Sequence, residues 1–317
     1  MRFLALIFLP FVSINLYCQY SLNKVDSIVI SKKYKSIDVK ELSGEIAMDF
    51  KSDSNKIRAF YFYVVNNIKY DKKLSERVWY PTSKEDMDSI TISEVNNCIK
   101  TKKGICWDYS ALFQKLCFYQ GIDVELITGT LRNNATMPQN RQENHGWNSL
   151  IINGKRKFID CTFDPPENYS KYEYDKFYLV DPEEFIYRCL PIDSPKQYLK
   201  TAITYDQFKT LTYTGNAFFE HKIKNLSPNS IYLKIKSDAK YLISFKVTNI
   251  DKLISIEIYL NDILVKTNED IKLNSNLNLN LMLVPGDIIK IMAISRVSQD
   301  DHGVIESIAP LITYIAK

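Results

Sequence analysis

The clearest amphipathic pattern in the first half of the chain starts shortly after residue 53. Asp53-Ser54-Asn55 supplies capping oxygens. Apolar side chains then recur at helical spacing along one face, at Ile57, Phe60, Tyr61, Val64, Val65 and Ile68. The pattern predicts a helix that packs this face on a core and ends near Asn66-Asn67.

A second helical pattern runs from Cys106 to Gln120 and stops at Gly121, a residue typical of helix C-termini. Between the two helices, residues 71–95 carry scattered charges and few apolar positions. We interpret them as a long loop, with a short helix near 91–100.

Alternating patterns then predict three strands, Val124–Thr130, Trp147–Ile152 and Lys155–Asp160. A polar, exposed loop is expected over 132–143. Asn153-Gly154 is a strong signal for a two-residue hairpin turn.

Such a turn pairs Ile152 with Lys155 and places Trp147 opposite Asp160. His145, two residues before Trp147, then shares a sheet face with Asp160 as a diagonal neighbour. A turn of odd length would break this prediction, because it would turn one strand over.

The pattern changes from about residue 206. Short alternating segments separated by Asn, Asp, Ser, Gly and Pro predict an antiparallel β-sandwich with strands at Ser230–Lys236, Tyr241–Thr248, Ile254–Leu260, Leu277–Leu283 and Asp287–Arg296. We therefore expect a domain boundary near 205/206, with the connecting region 195–228 open to proteolysis.

The N-terminus has the pattern of a secretory signal. A basic Arg2 precedes an apolar run from Phe3 to Val12, and Cys18-Gln19 is a plausible cleavage junction. We expect residues 1–18 to be removed, which gives a periplasmic or secreted protein with no integral membrane segment left. The alternatives are an uncleaved anchor and a lipid-modified Cys18, the latter disfavoured by the bulky Tyr17.

Composition narrows the function classes. A net charge of +4, from 41 basic and 37 acidic residues, and no basic stripe argue against nucleic-acid binding. Signal removal leaves five cysteines, an odd number, so at least one thiol is unpaired within the chain. No Cys-x-x-Cys pair and only three histidines argue against a structural zinc site, and we expect neither metal nor cofactor.

Cys106, His145 and Asp160 supply the three parts of a thiol-based acyl-transfer site. A cysteine at a helix start has its pKa lowered by the helix dipole, and nearby N–H groups can bind an oxyanion. Read singly, Cys106 is as readily a buried structural cysteine, and a lone histidine is more often structural. The predicted pairing of His145 with Asp160 favours the chemical interpretation.

Three ordered motifs resemble those of the transglutaminase-like superfamily: Gly104-Ile105-Cys106-Trp107-Asp108-Tyr109, His145-Gly146-Trp147-Asn148 and Ile159-Asp160-Cys161-Thr162-Phe163-Asp164. Two further stretches, Lys56–Asp71 and Leu179–Ile186, resemble its kyphoscoliosis-peptidase branch. The resemblance covers roughly 45–205 well and the rest of the chain loosely.

The resemblance implies an α+β, papain-like core followed by an all-β, immunoglobulin-like sandwich. It implies that Cys106 is the nucleophile, His145 the base and Asp160 its orienting partner, with Trp79 a candidate oxyanion donor or simply a loop aromatic. Gly146 replaces a usual small residue such as alanine without consequence. Arg188-Cys189-Leu190-Pro191 stands where this branch often has a histidine before the proline.

The sequence therefore predicts a signal peptide over 1–18, a lead-in over 19–45, a transglutaminase-like domain over 46–205 and a β-sandwich over 206–317. We expect an exported cysteine peptidase, amidase or transglutaminase-type acyltransferase whose partner is a protein or peptide substrate. The alternative is a catalytically inactive binding or scaffold protein that keeps the fold.

Overall fold

A computed structural model describes residues 24–76, 92–141, 143–163, 176–235, 240–250, 253–268, 276–300 and 303–317. Its helices, in chain order, are α1 (Lys24–Ser31), α2 (Val39–Ala47), α3 (Asp53–Asn67), α4 (Lys72–Ser75), α5 (Ile92–Thr101), α6 (Cys106–Phe118), α7 (Pro182–Phe185), α8 (Tyr205–Thr210) and α9 (Asn216–Glu220). None of these described helices is long and apolar enough to cross a membrane.

The strands fall into a short first group and a long C-terminal group. The first comprises β1 (Lys69–Tyr70), β2 (Lys103–Gly104), β3 (Val124–Leu131), β4 (His145–Ile152), β5 (Lys155–Ile159) and β6 (Cys189–Pro191). The second comprises β7 (Tyr213–Thr214), β8 (Ile223–Ser227), β9 (Tyr232–Leu233), β10 (Lys240–Val247), β11 (Leu253–Leu260), β12 (Ile263–Asn268), β13 (Asn276–Met282), β14 (Ile288–Asp300) and β15 (Gly303–Ala316).

Helix α3 is the centre of the helical layer. The sequence predicts one apolar face, but every residue from Ile57 to Val65 is buried, because α1, α2 and α6 all pack against it. A helix enclosed on all sides is expected to be apolar all round. Its one buried charge, Arg58, is neutralised by Asp26 of α1, whose Oδ1 accepts from Nε at 2.7 Å.

The sheet that carries the candidate site has the order β5-β4-β3-β6. The β4–β5 register pairs Ile152 with Lys155 and continues to Asn148 with Ile159, so the predicted hairpin is confirmed. The turn works because Asn153 and Gly154 both adopt positive φ, 50° and 72°, as the tightest hairpin turn requires.

The two faces of this sheet contribute to different cores. Val124, Leu126 and Leu150 belong to the core shared with the helices. Ile127 and Trp147, on the opposite face, belong to a second core that also contains the buried side chains of the C-terminal strands.

The C-terminal half is a multi-strand β region of two sheets. One has the order β13-β10-β8 and the other β12-β11-β14-β15-β7, with β9 beside β15. Their inward residues, such as Ile243 of β10 and Ile256 of β11, lie in one cluster. Strands β12 and β15 were not predicted, and the predicted strand over 230–236 is reduced to the two residues of β9.

Polar contacts also connect the β region to the core. The Arg132 guanidinium, fully buried, donates to the carbonyl of Leu211 at 2.7 Å. Lys224 of β8 pairs with Asp181 at 3.1 Å and also with Glu184. Lys176 pairs with Glu220 of α9 at 3.7 Å.

Candidate active site

Cys106 is the first residue of α6, so its thiol lies at the helix N-terminus as the sequence predicts. Asp108 folds back and accepts a hydrogen bond from the Ile105 backbone N–H at 2.8 Å, satisfying a donor at the helix start. A Cβ on Gly104 would lie 2.6 Å from the Asp108 Cβ. Glycine at 104 is therefore needed for the Asp108 side chain to close the turn beneath the thiol.

The segment before Cys106 is held to the end of α3. Strands β1 and β2 pair in parallel, Tyr70 with Gly104. The Tyr109 hydroxyl, one helical turn after Cys106, donates to the Ile68 carbonyl at 2.6 Å. These contacts fix both the start and the first turn of α6.

His145 opens β4, and its Nε2 lies 2.6 Å from Oδ2 of Asp160. The other Asp160 oxygen accepts from the Thr162 backbone N–H at 2.9 Å. The histidine is 4% exposed and the aspartate 0%. The imidazole is thus oriented by a buried carboxylate, which leaves its second nitrogen for another partner.

Motif residues around His145 dock β4 onto α6. Gly146 lies under the Trp107 ring, and a Cβ there would come within 3.1 Å of it. The Asn148 side-chain amide donates to the Ser110 carbonyl at 3.1 Å. Glycine and asparagine at these positions keep the histidine strand against the cysteine helix.

The electrostatics favour a charged His145. Burial lowers its pKa, but the negative charges of Asp160 and Cys106, and hydrogen bonds to both, outweigh burial and raise the pKa to about 10. Cys106 is therefore the second partner of the imidazole. A thiolate beside an imidazolium is the form that attacks carbonyl carbon.

Burial raises the pKa of three other described thiols. All five described cysteines are free and buried. Burial raises the pKa of Cys98 to about 12, and it also raises the pKa of Cys117 and Cys189. None of these three is suited to act as a thiolate at neutral pH.

Cys189 on β6 was not predicted to lie at the site. One ligand atom each from Cys189, His145 and Asp160 lie within 4.8 Å of one another. Thiol, imidazole and carboxylate are zinc ligands, but here His145 and Asp160 already bond each other. The position was visible in the sequence only as a departure from the family pattern.

Aromatic rings surround the imidazole. The Phe163 ring lies 5.0 Å from His145 and the Trp147 ring 5.9 Å, between ring centres. The Arg188 guanidinium lies over Phe163 at 5.1 Å. Trp79 and Asp164 lie outside the described residues, so the predicted oxyanion role of Trp79 stays a prediction.

Unsatisfied buried atoms concentrate around this site. Among the described side chains, six buried polar atoms lack a hydrogen-bond partner, and four of them belong to Trp147, Asn148, Thr162 and Arg188. Native interiors rarely leave such groups unpaired. Four of the six lie close to His145 and Asp160 in the chain or in space, so a role at this site is one explanation for them.

Residues 40–164 match the family model of the transglutaminase-like superfamily. The chain therefore carries a transglutaminase-like core, a fold of thiol enzymes, built from the helical layer and the four-stranded sheet. Within that superfamily it resembles the kyphoscoliosis-peptidase branch. Mouse kyphoscoliosis peptidase is 21% identical over 220 residues, which are 67% of this chain and 32% of that protein.

Two further similarities cover less of the chain. Drosophila melanogaster hillarin is 30% identical over 133 residues, 36% of this chain and 16% of hillarin. A solved structure of a candidate cysteine protease from Cytophaga hutchinsonii covers 46% of this chain and 45% of its own, with 19% identity and a TM-score of 0.29. The chain thus spans about a third or less of the curated relatives named above.

Proposed function

We propose that this chain is an exported thiol enzyme that acts on peptide or glutamine-type amides through a Cys106 thioester. The observation that supports this most is the buried His145–Asp160 pair, 2.6 Å apart, whose imidazole also bonds the thiol at the start of α6. Burying the three ionisable groups Cys106, His145 and Asp160 costs folding free energy, and a role in chemistry explains why the protein keeps them buried.

In the proposed reaction, the Cys106 thiolate attacks the amide carbonyl and a C–S bond forms. The tetrahedral oxyanion lies where N–H groups of the first turn of α6 can bind it. The His145 imidazolium gives its proton to the amine as the C–N bond breaks. His145 then takes a proton from the incoming water or amine, and the thioester releases its acyl group and restores the thiolate.

Hydrolysis is the outcome that we propose over transamidation. The mouse and human relatives are named as peptidases, and water is the acceptor always present outside the cell. The substrate is a protein or peptide. Incorporation of a fluorescent primary amine into a glutamine peptide at a rate exceeding hydrolysis would reverse this assignment.

The alternative, an inactive scaffold, also has an observation in its favour. Cys106 is only 1% exposed, so the thiol must be uncovered before a substrate reaches it. A scaffold protein would keep it enclosed.

Thiol labelling separates the two proposals. We expect iodoacetamide at neutral pH to modify Cys106 of the mature protein at least about 10-fold faster than Cys117 or Cys189, because the His145 imidazole is hydrogen-bonded to Cys106 and burial raises the pKa of the other two thiols. Peptide mass analysis of the native protein measures the rates, with Cys106→Ala beside it and Cys117→Ala as matched control. Equal rates for Cys106 and Cys117 would support the scaffold.

A further inference from the structure

Arg188 is a buried charge for which the described residues offer no counter-charge. Arg188 is 9% exposed, and its Nε has no hydrogen-bond partner among the described atoms. Among the described residues no carboxylate lies within ion-pair distance of it, whereas Asp181, seven residues earlier, pairs with both Lys157 and Lys224. A guanidinium carries five donors and stays charged, so burying it unpaired is costly.

This guanidinium lies beside the reaction centre. Its Cζ is 5.1 Å from the Phe163 ring centre, and that ring is 5.0 Å from His145. The Sγ of the next residue, Cys189, lies within 4.8 Å of a ring nitrogen of His145 and of a carboxylate oxygen of Asp160. Arg188 is thus one aromatic ring away from the catalytic imidazole.

Asp160, the carboxylate of the described site, is already used. Asp160 accepts from His145 with one oxygen and from the Thr162 backbone with the other. The contact that Arg188 does make, with the face of Phe163, satisfies none of its N–H groups. No described residue supplies an acceptor for the Arg188 Nε, so a bound ligand can supply one.

We propose that Arg188 binds a carboxylate of the substrate, two or three residues from the bond that Cys106 attacks. This specificity rests on the proposed function. A planar guanidinium matches a carboxylate through two parallel hydrogen bonds. An extended peptide advances about 3.5 Å per residue. A substrate carboxylate two or three residues from the attacked bond can therefore reach Arg188, which is separated from His145 by the Phe163 ring.

Chloroacetyl tripeptides test this without requiring turnover. Cys106 Sγ displaces chloride from the chloroacetyl carbon, and mass spectrometry gives the labelling rate. One pair ends in Glu-amide or Gln-amide, and a second ends in Ala with a free carboxylate or as its amide. The first pair supplies a side-chain carboxylate and the second a terminal one, so the two pairs distinguish the sources.

We expect the acid of at least one pair to label Cys106 about 10-fold faster than its amide. Arg188→Gln should abolish that preference, and Arg188→Lys should restore part of it. Arg156→Gln is the matched control, because Arg156 also lies over an aromatic ring, Tyr198, at 4.3 Å. It should keep the full preference.

A second measurement stands independently of thiol reactivity. Fluorescent versions of the same peptides without the chloroacetyl group are titrated into Cys106→Ala by anisotropy, with and without Arg188→Gln. If the acids bind more tightly than the amides and Arg188→Gln removes the difference, the carboxylate site is supported. If Cys106 also proves unreactive, only the proposed function fails. Equal labelling and equal binding of acids and amides by proteins that melt normally would overturn it.

Discussion

His145 shows how two neighbours reverse the effect of burial on one side chain. An enclosed imidazole alone would be neutral at pH 7. Here the negative Asp160 and Cys106 raise its pKa to about 10 against the opposing effect of burial. The imidazolium form of His145 therefore prevails up to about pH 10, whereas an ordinary histidine loses its proton near pH 6.5.

The first prediction concerns the alkaline limit of activity. The leaving amine needs the imidazolium proton, so kcat/KM should be sustained through pH 8 and fall as pH rises through about 10, the raised pKa of His145. Asp160→Asn removes one of the two negative charges and should move this limit to lower pH. Hydrolysis of a fluorogenic peptide amide across pH 6–11 measures it. A parental limit near pH 6.5 would contradict the raised pKa.

The second prediction separates the roles of the two residues. His145→Ala should remove nearly all turnover, because no other described group can carry the proton. Asp160→Asn keeps the shape and should cost less, roughly 10- to 10³-fold, since a thiolate–imidazolium pair needs less help than a serine, where the same change costs about 10⁴.

Turnover of an amide substrate by both variants is the measurement, and thermal melting is the control. If both variants melt like the parent and keep full activity, the three-residue assignment fails.

The residues that the sequence could not place are those brought in from far along the chain. The hairpin that joins His145 to Asp160 was predictable because a two-residue turn permits only one register. Arg188 and Cys189 reach the site because β6 pairs with β3, Leu131 with Cys189. That pairing spans nearly sixty residues of chain, and no local pattern specifies it.

At the scale of elements, the missed strands have identifiable causes. Strand β12 follows a tight turn at Asn261-Asp262, and both residues have positive φ. Asn-Asp can form a hairpin turn, but the apolar alternation that predicts the other strands does not reveal it. Strand β15 contains Pro310, where its register with β14 shifts. A proline within an alternating run argues against a strand, yet proline is tolerated where the pairing register shifts.

The third prediction concerns the approach of β6 to β3. A Cβ on Gly129 would lie 2.1 Å from the Leu190 carbonyl oxygen and 2.5 Å from the Trp147 ring. Gly129→Ala must therefore push β6 away, together with Cys189 and the preceding Arg188, at a cost of about 1–3 kcal/mol in the free energy of unfolding.

Gly44→Ala is the control, because a Cβ there meets nothing within 4 Å in the interior of α2. It should raise stability by about 0.5–1 kcal/mol. Urea unfolding of both variants gives the comparison, and equal stability of the two would show that β6 is not held as described.

At the scale of the whole molecule, the β region and the transglutaminase-like half share a core. A chain of ring contacts runs from His145 through Phe163 and Phe177 to Phe219, with centre distances of 5.0, 5.2 and 4.8 Å. Phe219 lies in α9, beyond the predicted boundary near 205/206. That boundary stays a prediction, but the contacts across it argue that the two parts unfold together.

The last prediction tests that coupling with one ring. Phe219 is 2% exposed, in the core that both parts share. Phe219→Ala should cost about 3–5 kcal/mol, the range for emptying a buried aromatic site, and the loss should appear in both parts as one transition at lower temperature. Calorimetry follows the whole chain, and labelling of the buried Cys117 with heating reports on the transglutaminase-like half alone. Phe118→Ala is the matched control, because that ring is 65% exposed and its loss should stay within about 0.5 kcal/mol. A β region that melts early while Cys117 stays protected to the parental temperature would instead establish two domains that fold independently.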